Sequence, residues 1–515
     1  MRKRISIEQK NLPLLILILS AVWIVIVAAG LYVHHGEPVE IADFTARSGE
    51  REIELSWHNT GGDDGFVELT IESSEGRSVV QLDAGTTSYV FSDGEHGRRY
   101  DFTVMATDSE GAAGQAQTAC ALFLDWDLLP DLPVLTVETV NGQFPSCTYV
   151  SAEGNNWGYT ITDNEYLSAQ FTMVNQGSTQ VSTAAEIRLR GNTSAYLEKK
   201  PYKLKLERSA DLLGHEDALY NNKEWILLPF DTNLATVTGT KVAQLCGLEW
   251  QPACIPVNFC MNGDWMGTYL LIESVARGAA RVNISETGFI IENNAYWWNA
   301  DGFFKTPYQI AQMGYTFKYP GYDSVSDQME ALIQNYMTAY ELALIEGAGD
   351  YTDYISLDSF ASWLLVQDIM GIWDSGGTNM FLYKYDLNVG DLYSSKLKLG
   401  PAWDFSSSFM TEDAWARIHN DSILHFDALL QKEEFREVYL EKWRSLSGTL
   451  VGDMESYLDD FYAAYSDALQ QSLELDASRW STGVSQLDDA VSTANRWFSG
   501  RTAWLNEAML SLEEG

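Results

Sequence analysis

Three stretches of this chain carry residues that can do chemistry together. Trp373-Asp-Ser-Gly-Gly-Thr-Asn379 sets Asp374 and Asn379 in a glycine-bearing loop. Their Asp-x-x-x-x-Asn spacing is one in which the carboxylate takes a proton from an acceptor hydroxyl and the amide binds a metal. Leu397-Lys-Leu-Gly-Pro-Ala-Trp-Asp-Phe405 reads as an apolar strand ending on Asp404 beside an aromatic ring. A carboxylate at a strand end can hold magnesium against phosphates. Upstream, Arg188-Leu-Arg-Gly-Asn-Thr-Ser194 is a turn-rich link into Lys199-Lys-Pro-Tyr-Lys-Leu-Lys205. On that second strand Lys203 and Lys205 share one face, while Tyr202, Leu204 and Leu206 take the other. Each segment alone has an ordinary explanation, a solvated strand edge or turn residues. Taken in order, a glycine turn, a strand lysine, Asp-x-x-x-x-Asn and Asp-Phe supply the positioning and charge neutralisation that phosphoryl transfer requires.

The elements that must hold these residues fall into blocks. Asn11 to Val33 is an uncharged apolar run preceded by Arg2, Lys3, Arg4 and Lys10, long enough as a helix to cross a hydrocarbon core of roughly 30 Å. This predicts cytoplasmic residues 1–11, a transmembrane helix over 12–33 and a body outside a cell membrane; a cleaved signal peptide is the alternative, with the body exported either way. Residues 38–123 alternate apolar and polar positions between Gly/Asp/Asn clusters, the pattern of an antiparallel sandwich. Trp57 and Tyr100 make this block similar to fibronectin type III domains, where a core Trp and a corner Tyr lock two sheets. Residues 131–270 read mainly as strands with one helix over 233–247, and apolar three- and four-residue steps predict helices over 327–347, 357–371, 433–447 and 453–474. A strand-rich front and a helix-rich back give an α+β expectation.

Composition bounds the partners. The 515 residues hold 33 Lys+Arg against 72 Asp+Glu, a net charge of −39. Such a surface repels polyanions, which argues against nucleic acid and anionic lipid and favours divalent cations. Five cysteines form no C-x-x-C pair; Cys254 and Cys260 can share a strand face as a disulfide, or stay as buried thiols. The aromatics, with Trp297-Trp298 most concentrated, can fill a core or stack on a glycan. Gly-x-Ser-x-Gly and His-Glu-x-x-His are absent, and none of the seven histidines falls in the three segments, which sets hydrolase chemistry aside.

At these residues the chain resembles the CotH family, atypical kinases related to spore-coat protein H. The resemblance runs from about Leu132 to Leu510. It is carried by Leu189-Arg-Gly-Asn-Thr-Ser194, Lys200-Pro-Tyr-Lys-Leu-Lys205, Trp225-Ile-Leu-Leu-Pro-Phe-Asp231 and Gly267-Thr-Tyr-Leu-Leu-Ile-Glu273. Further carriers are Phe289-Ile-Ile-Glu292, Lys318-Tyr-Pro320, Asp374 to Tyr383 and Gly400-Pro-Ala-Trp-Asp-Phe405. It implies an atypical two-lobed protein-kinase-like domain over 131–515, using ATP with Mg²⁺ or Mn²⁺ to phosphorylate Ser/Thr hydroxyls of exported or surface proteins. Asp374 then resembles the catalytic Asp, and Asn379 and Asp404 the metal ligands. Lys203 or Lys205 resembles the phosphate-holding lysine, Arg190, Gly191 and Asn192 cover the phosphates, and Glu273 lies on the strand lining the nucleotide pocket. Two positions depart from the family pattern: Ser406 replaces a second acid and Met410 a glycine. A catalytically silent module that binds surface protein or glycan is the alternative.

Overall fold

The computed structural model describes residues 40–60, 65–109, 111–151, 159–309, 313–372, 379–409 and 425–514. They form two compact units, dividing between Leu128 and Leu129. In the first, alternation places every second side chain inside. Strands β1 (Glu40–Gly49), β2 (Glu52–Thr60) and β5 (Ser88–Phe91) make one sheet in the order β1-β2-β5. Strands β3 (Phe66–Ser73), β4 (Gly76–Asp83), β6 (Arg98–Thr107) and β7 (Gln117–Phe123) make the other, in the order β4-β3-β6-β7. Trp57, Leu69, Phe102 and Tyr100 are buried in the core of this sandwich. The Tyr100 hydroxyl accepts the Glu95 N–H at 3.1 Å, pinning the corner that enters β6.

The second unit begins with a closed barrel. Strand β8 (Val134–Thr139) is followed by a short hairpin of β9 (Thr148–Val150) and β10 (Thr160–Thr162). Then come β11 (Leu167–Asn175), β12 (Ser178–Leu189), β13 (Tyr202–Ala210) and β14 (Asn222–Pro229). Helix α1 (Ala235–Leu245) separates these from β15 (Cys254–Met261) and β16 (Asp264–Glu273). The barrel order is β11-β12-β13-β14-β16-β15-β8. Closure comes from β8, which pairs antiparallel with β11 and parallel with β15, Val134 to Val137 opposing Asn258 to Met261. Leu135, Phe171, Leu204, Trp225, Phe259 and Leu271 fill the interior.

A second, five-stranded sheet follows, built from β17 (Phe289–Asn294), β18 (Phe303–Phe304), β19 (Gly314–Tyr319), β20 (Met380–Lys384) and β21 (Lys398–Leu399) in the order β18-β19-β17-β20-β21. Helices α2 (Asp327–Glu341), α3 (Leu357–Met370), α4 (Phe426–Leu430), α5 (Glu433–Ser447), α6 (Leu450–Trp480) and α7 (Leu487–Glu514) complete the unit. Helix α3 is buried all round, so its sequence shows no polar face. Helix α6 is clamped to the barrel: Asp476 Oδ1 accepts from Lys199 Nζ at 2.6 Å and from the Thr268 N–H at 2.9 Å. Gly267 makes room for it, since a Cβ there would lie 2.0 Å from the same oxygen.

Two expectations are corrected. The body is a mixed α/β unit whose front strands close into a seven-stranded barrel, in place of a two-lobed kinase-like domain behind a membrane helix. Single-pass membrane placement, with the N-terminus cytoplasmic and the body extracytoplasmic, is not supported either. No helix among the described residues is long and apolar enough to cross a membrane, and the expected span 12–33 lies outside them. The long helices α6 and α7 carry acids and bases along their length, such as Asp453, Asp459, Arg496 and Glu507. All five cysteines are free thiols, so Cys254 and Cys260 form no disulfide.

Removing the Asp476 carboxylate leaves the Lys199 ammonium without its counter-charge, with the Thr268 carbonyl as its remaining partner, and unpairs the Thr268 N–H. Asp476→Ala should lower unfolding free energy by about 3 kcal/mol, read as an earlier denaturant midpoint with unchanged slope.

Candidate functional site

The barrel and the second sheet between them border a cleft of about 610 Å³, walled by Arg190, Lys203, Ile226, Glu292, Asn379 and Trp403 among others. On the barrel side, β12 delivers the turn Arg190-Gly191-Asn192. Gly191 sits at φ +90°, and a Cβ there would come 2.2 Å from Ser194 Oγ. The turn is tied to β10 by Thr160 Oγ1 donating to Asn192 Oδ1 at 2.8 Å. The Arg190 guanidinium lies 5.6 Å from the Trp403 ring centre. Burial draws its affinity for protons down, while Asp404 and Glu292 pull the other way. On β13, Lys203 opposes Arg188 across the ladder and pairs with Glu224 at 2.8 Å. Burial lowers the Lys203 pKa, with Glu224 opposing.

On the sheet side, Glu292 of β17 is 7% exposed. Its Oε1 accepts the Asn379 N–H at 3.2 Å and its Oε2 pairs with Lys318 Nζ of β19 at 2.6 Å. Asn379 opens β20 in the left-handed region at φ +69°, and its Nδ2 reaches Asp404 Oδ2 at 3.3 Å. Asp404 is left-handed as well, at φ +61°. Two non-glycine residues in that region cost on the order of 1 kcal/mol each and persist only where the surroundings impose them. The surroundings of Asp404 are explicit. Gln251 holds Ala402 through both its amide atoms, at 2.6 and 3.0 Å. Phe405 seats on α1 at Gly239, where a Cβ would lie 2.3 Å from the ring. Ser406 turns back so that its Oγ and N–H both donate to Asp404 Oδ1, at 2.6 and 3.2 Å.

Of the residues picked from the sequence, Arg190, Gly191, Asn192, Lys203 and Asn379 line this one cleft, and Asp404 joins them through Asn379. Lys205 does not. It pairs with Glu186 at 3.3 Å beside a different groove. Glu273 lines a separate cavity, with Oε2 accepting the Ala253 N–H at 3.0 Å. Asp374 lies outside the described residues. Glu292 and Lys318 line the cleft as well, within the family-like segments Phe289-Ile-Ile-Glu292 and Lys318-Tyr-Pro320; a charge following apolar strand residues, as in Ile291-Glu292, is the sequence signal for them.

Behind the cleft, Asp231 precedes α1 and its Oδ2 accepts the Thr236 N–H at 2.5 Å, while Oδ1 has no partner. Burial pushes this carboxyl up to about 6, against the Thr236 hydrogen bonds and with help from Asp404.

Residues 187–505 match the CotH kinase protein family. The chain therefore belongs to that family. No curated protein matches the sequence. Among solved structures it is similar to a β-1,2-glucanase from Parabacteroides distasonis, 18% identical over 17% of this chain and 13% of that one, with a TM-score of 0.16. It is also similar to the twitchin kinase region from C. elegans, 9% identical over 46% of this chain and 39% of that one, with a TM-score of 0.18. A two-domain fibronectin type III segment from chicken tenascin is 11% identical over 37% of this chain and 95% of that one, with a TM-score of 0.14. The chain thus spans only a small part of the glucanase's length.

The raised Asp231 pKa has a definite sign. The unfolded carboxyl ionises near 3.8 and the folded one near 6, so its burial costs nothing below about pH 4, grows costly between 4 and 6, and stays costly above. Asp231→Asn, which keeps an acceptor for Thr236, should stabilise the protein by about 1–2 kcal/mol at pH 8 and by far less at pH 4, measured as melting temperature against pH.

Proposed function

We propose that the cleft is the nucleotide and metal site of a protein kinase that moves the γ-phosphoryl group of ATP to Ser/Thr hydroxyls of proteins. The observation that carries this reading is the contact between Asn379 and Asp404 at the end of a cleft whose opposite wall presents Arg190 and Lys203. Among the described residues no group of three or more His, Cys, Asp or Glu could hold a metal. Asn379 and Asp404 are nonetheless hard oxygen donors of the kind Mg²⁺ or Mn²⁺ takes, one or two side chains supplementing phosphate and water. A cation held there supplies neutralisation of phosphate charge.

The chain's own residues then divide the work. Arg190 and Lys203 face the phosphates, Lys203 held by Glu224. The Gly191 turn brings backbone close to them without a side chain in the way. Glu292, braced by Lys318, fixes the backbone from which Asn379 projects. Ser406 orients Asp404. By the family resemblance Asp374 takes the acceptor proton. A catalytically silent module is the second reading, favoured by Ser406, whose N–H and hydroxyl occupy one carboxylate oxygen of Asp404.

Incubation with γ-labelled ATP and Mg²⁺ or Mn²⁺ should label a protein acceptor, with Asp374→Ala and Asp404→Asn each losing on the order of 100-fold or more. Nucleotide binding without label in the unaltered protein would mark a pseudokinase, and neither binding nor label would overturn the kinase reading in favour of the silent module that binds surface protein or glycan. Ser406→Ala should raise the Mg²⁺ concentration needed for half-maximal labelling by about 10-fold, the usual effect of losing a group that orients a metal-binding carboxylate.

A further inference from the structure

A strand at the edge of a sheet leaves a row of N–H and C=O groups unpaired, and folded proteins blunt such edges by shortness, bulges or cover. Among the described residues most edges of this chain are blunted so. Strand β5 is four residues long, and β1 is interrupted by a register shift between Ala42 and Thr45. The outer side of β7 is closed by the end of β1 and the turn after it: Ser48 Oγ accepts the Leu122 N–H at 3.0 Å, and Leu124 O accepts the Arg51 N–H at 2.6 Å. In the second unit β18 and β21 have two residues each, and the β9–β10 hairpin has strands of three.

Strand β4 has none of these protections. Its eight residues, Gly76–Asp83, pair with β3 alone and without a register shift. They include no proline and no lysine. Gly76 to Val79 are all exposed, Val79 to 52%. Alternation turns Val80 and Leu82 toward the sandwich core, where they are partly buried, and turns Arg77, Val79, Gln81 and Asp83 outward. Arg77 pairs with Glu72 of β3 at 3.4 Å, yet its side chain is still 61% exposed.

An antiparallel partner fits a strand of this kind only in a register that keeps like-facing residues opposite one another. A second copy of β4 meets that condition about a two-fold axis at Val80. Val79 then faces Gln81, and Arg77 faces Asp83, at both ends of the pair, because Arg77 and Asp83 stand equally far from Val80 on either side. Opposite charges directly across an antiparallel pair are favourable, and like charges are not. A chain of net −39 repels its own copies, so self-association needs a patch whose charges cancel; β4, with one base and one acid, is such a patch. We infer that β4 is a homodimer interface, at which the four-stranded sheets of two copies join into one continuous sheet with Val80 at its centre. The inference rests on the first unit and on no part of the kinase reading.

Sedimentation of the full chain in about 0.15 M salt, where long-range repulsion is screened, should show dimers gaining on monomers. The change should fall between roughly 1 and 100 μM, as a small interface allows. Asp83→Arg, at an exposed position, should weaken dimerisation about 10-fold with the melting temperature retained, since both cross-strand pairs become like-charged. Adding Arg77→Asp should restore the dimer, because the charges are then exchanged and complementary again. In the unaltered protein the amides of Gly76–Asp83 should exchange with solvent more slowly at the dimer-forming concentrations than below them. Monomers throughout would overturn the inference and leave the edge to an extended strand of another protein. Dimers indifferent to Asp83→Arg, dimers not restored by the exchange in a folded double variant, or amide exchange at β4 independent of concentration would each overturn it as well.

Discussion

A carboxylate almost withdrawn from water organises the cleft. Glu292 would be costly to bury alone, and it is tolerated because Lys318 neutralises one oxygen while the Asn379 N–H engages the other. This ties β19, β17 and the residue just before β20 into one edge. Asn379 can then hold a left-handed backbone that its own preferences would not choose. Asp404 arrives at the same spot from β21, strained in the same way and restrained by Gln251, Phe405 and Ser406. The polar atoms of the cleft are therefore placed partly by neighbours that do not line it, such as Glu224, Gln251 and Phe405, and partly by Thr160, Glu292 and Lys318, which do.

Much of this was legible from residue order, and what was not has physical reasons. Period-two alternation marked the sandwich and the lysine strand, and Lys203 faces the cleft as that alternation requires. Alternation cannot say how far along the strand the cleft reaches, so Lys205, on the same face, pairs with Glu186 elsewhere. Barrel closure was invisible because it depends on β8 meeting β15, which stand more than a hundred residues apart. Helix α7 has a weak helical signal because Ser492, Thr493, Asn495, Ser499 and Gly500 dilute it; its stability comes from Trp497, Phe498 and Leu505 packing inward. Glu273 lies on the expected strand yet turns to the other cavity, a distinction set by side-chain direction at a strand end.

The membrane expectation shows a different limit. It rested on residues 12–33, outside what the structure describes, and no described helix supports it. The strong negative charge stands on its own and acts on the cleft. Arg190, Lys203 and Lys318 form a small cationic island in a chain of net −39, and each has a carboxylate within its electrostatic reach. An incoming polyphosphate competes with those internal acids for the same cations, so affinity should depend on how readily the acids are screened by divalent ions.

Helix α6 has mechanical meaning. It is 31 residues long, and near its C-terminal end Asp476, Ser472 and Arg479 bond to the barrel at Thr268, Asn258 and Asp264. Its earlier residues, among them Met454 and Leu458, pack in the helical core. One rod fastened at both ends acts as a splint across the unit. Rocking of barrel against helices, the usual way a cleft opens and shuts, would have to break buried polar bonds. A ligand of the cleft would therefore meet walls whose spacing is set by the splint rather than by the ligand.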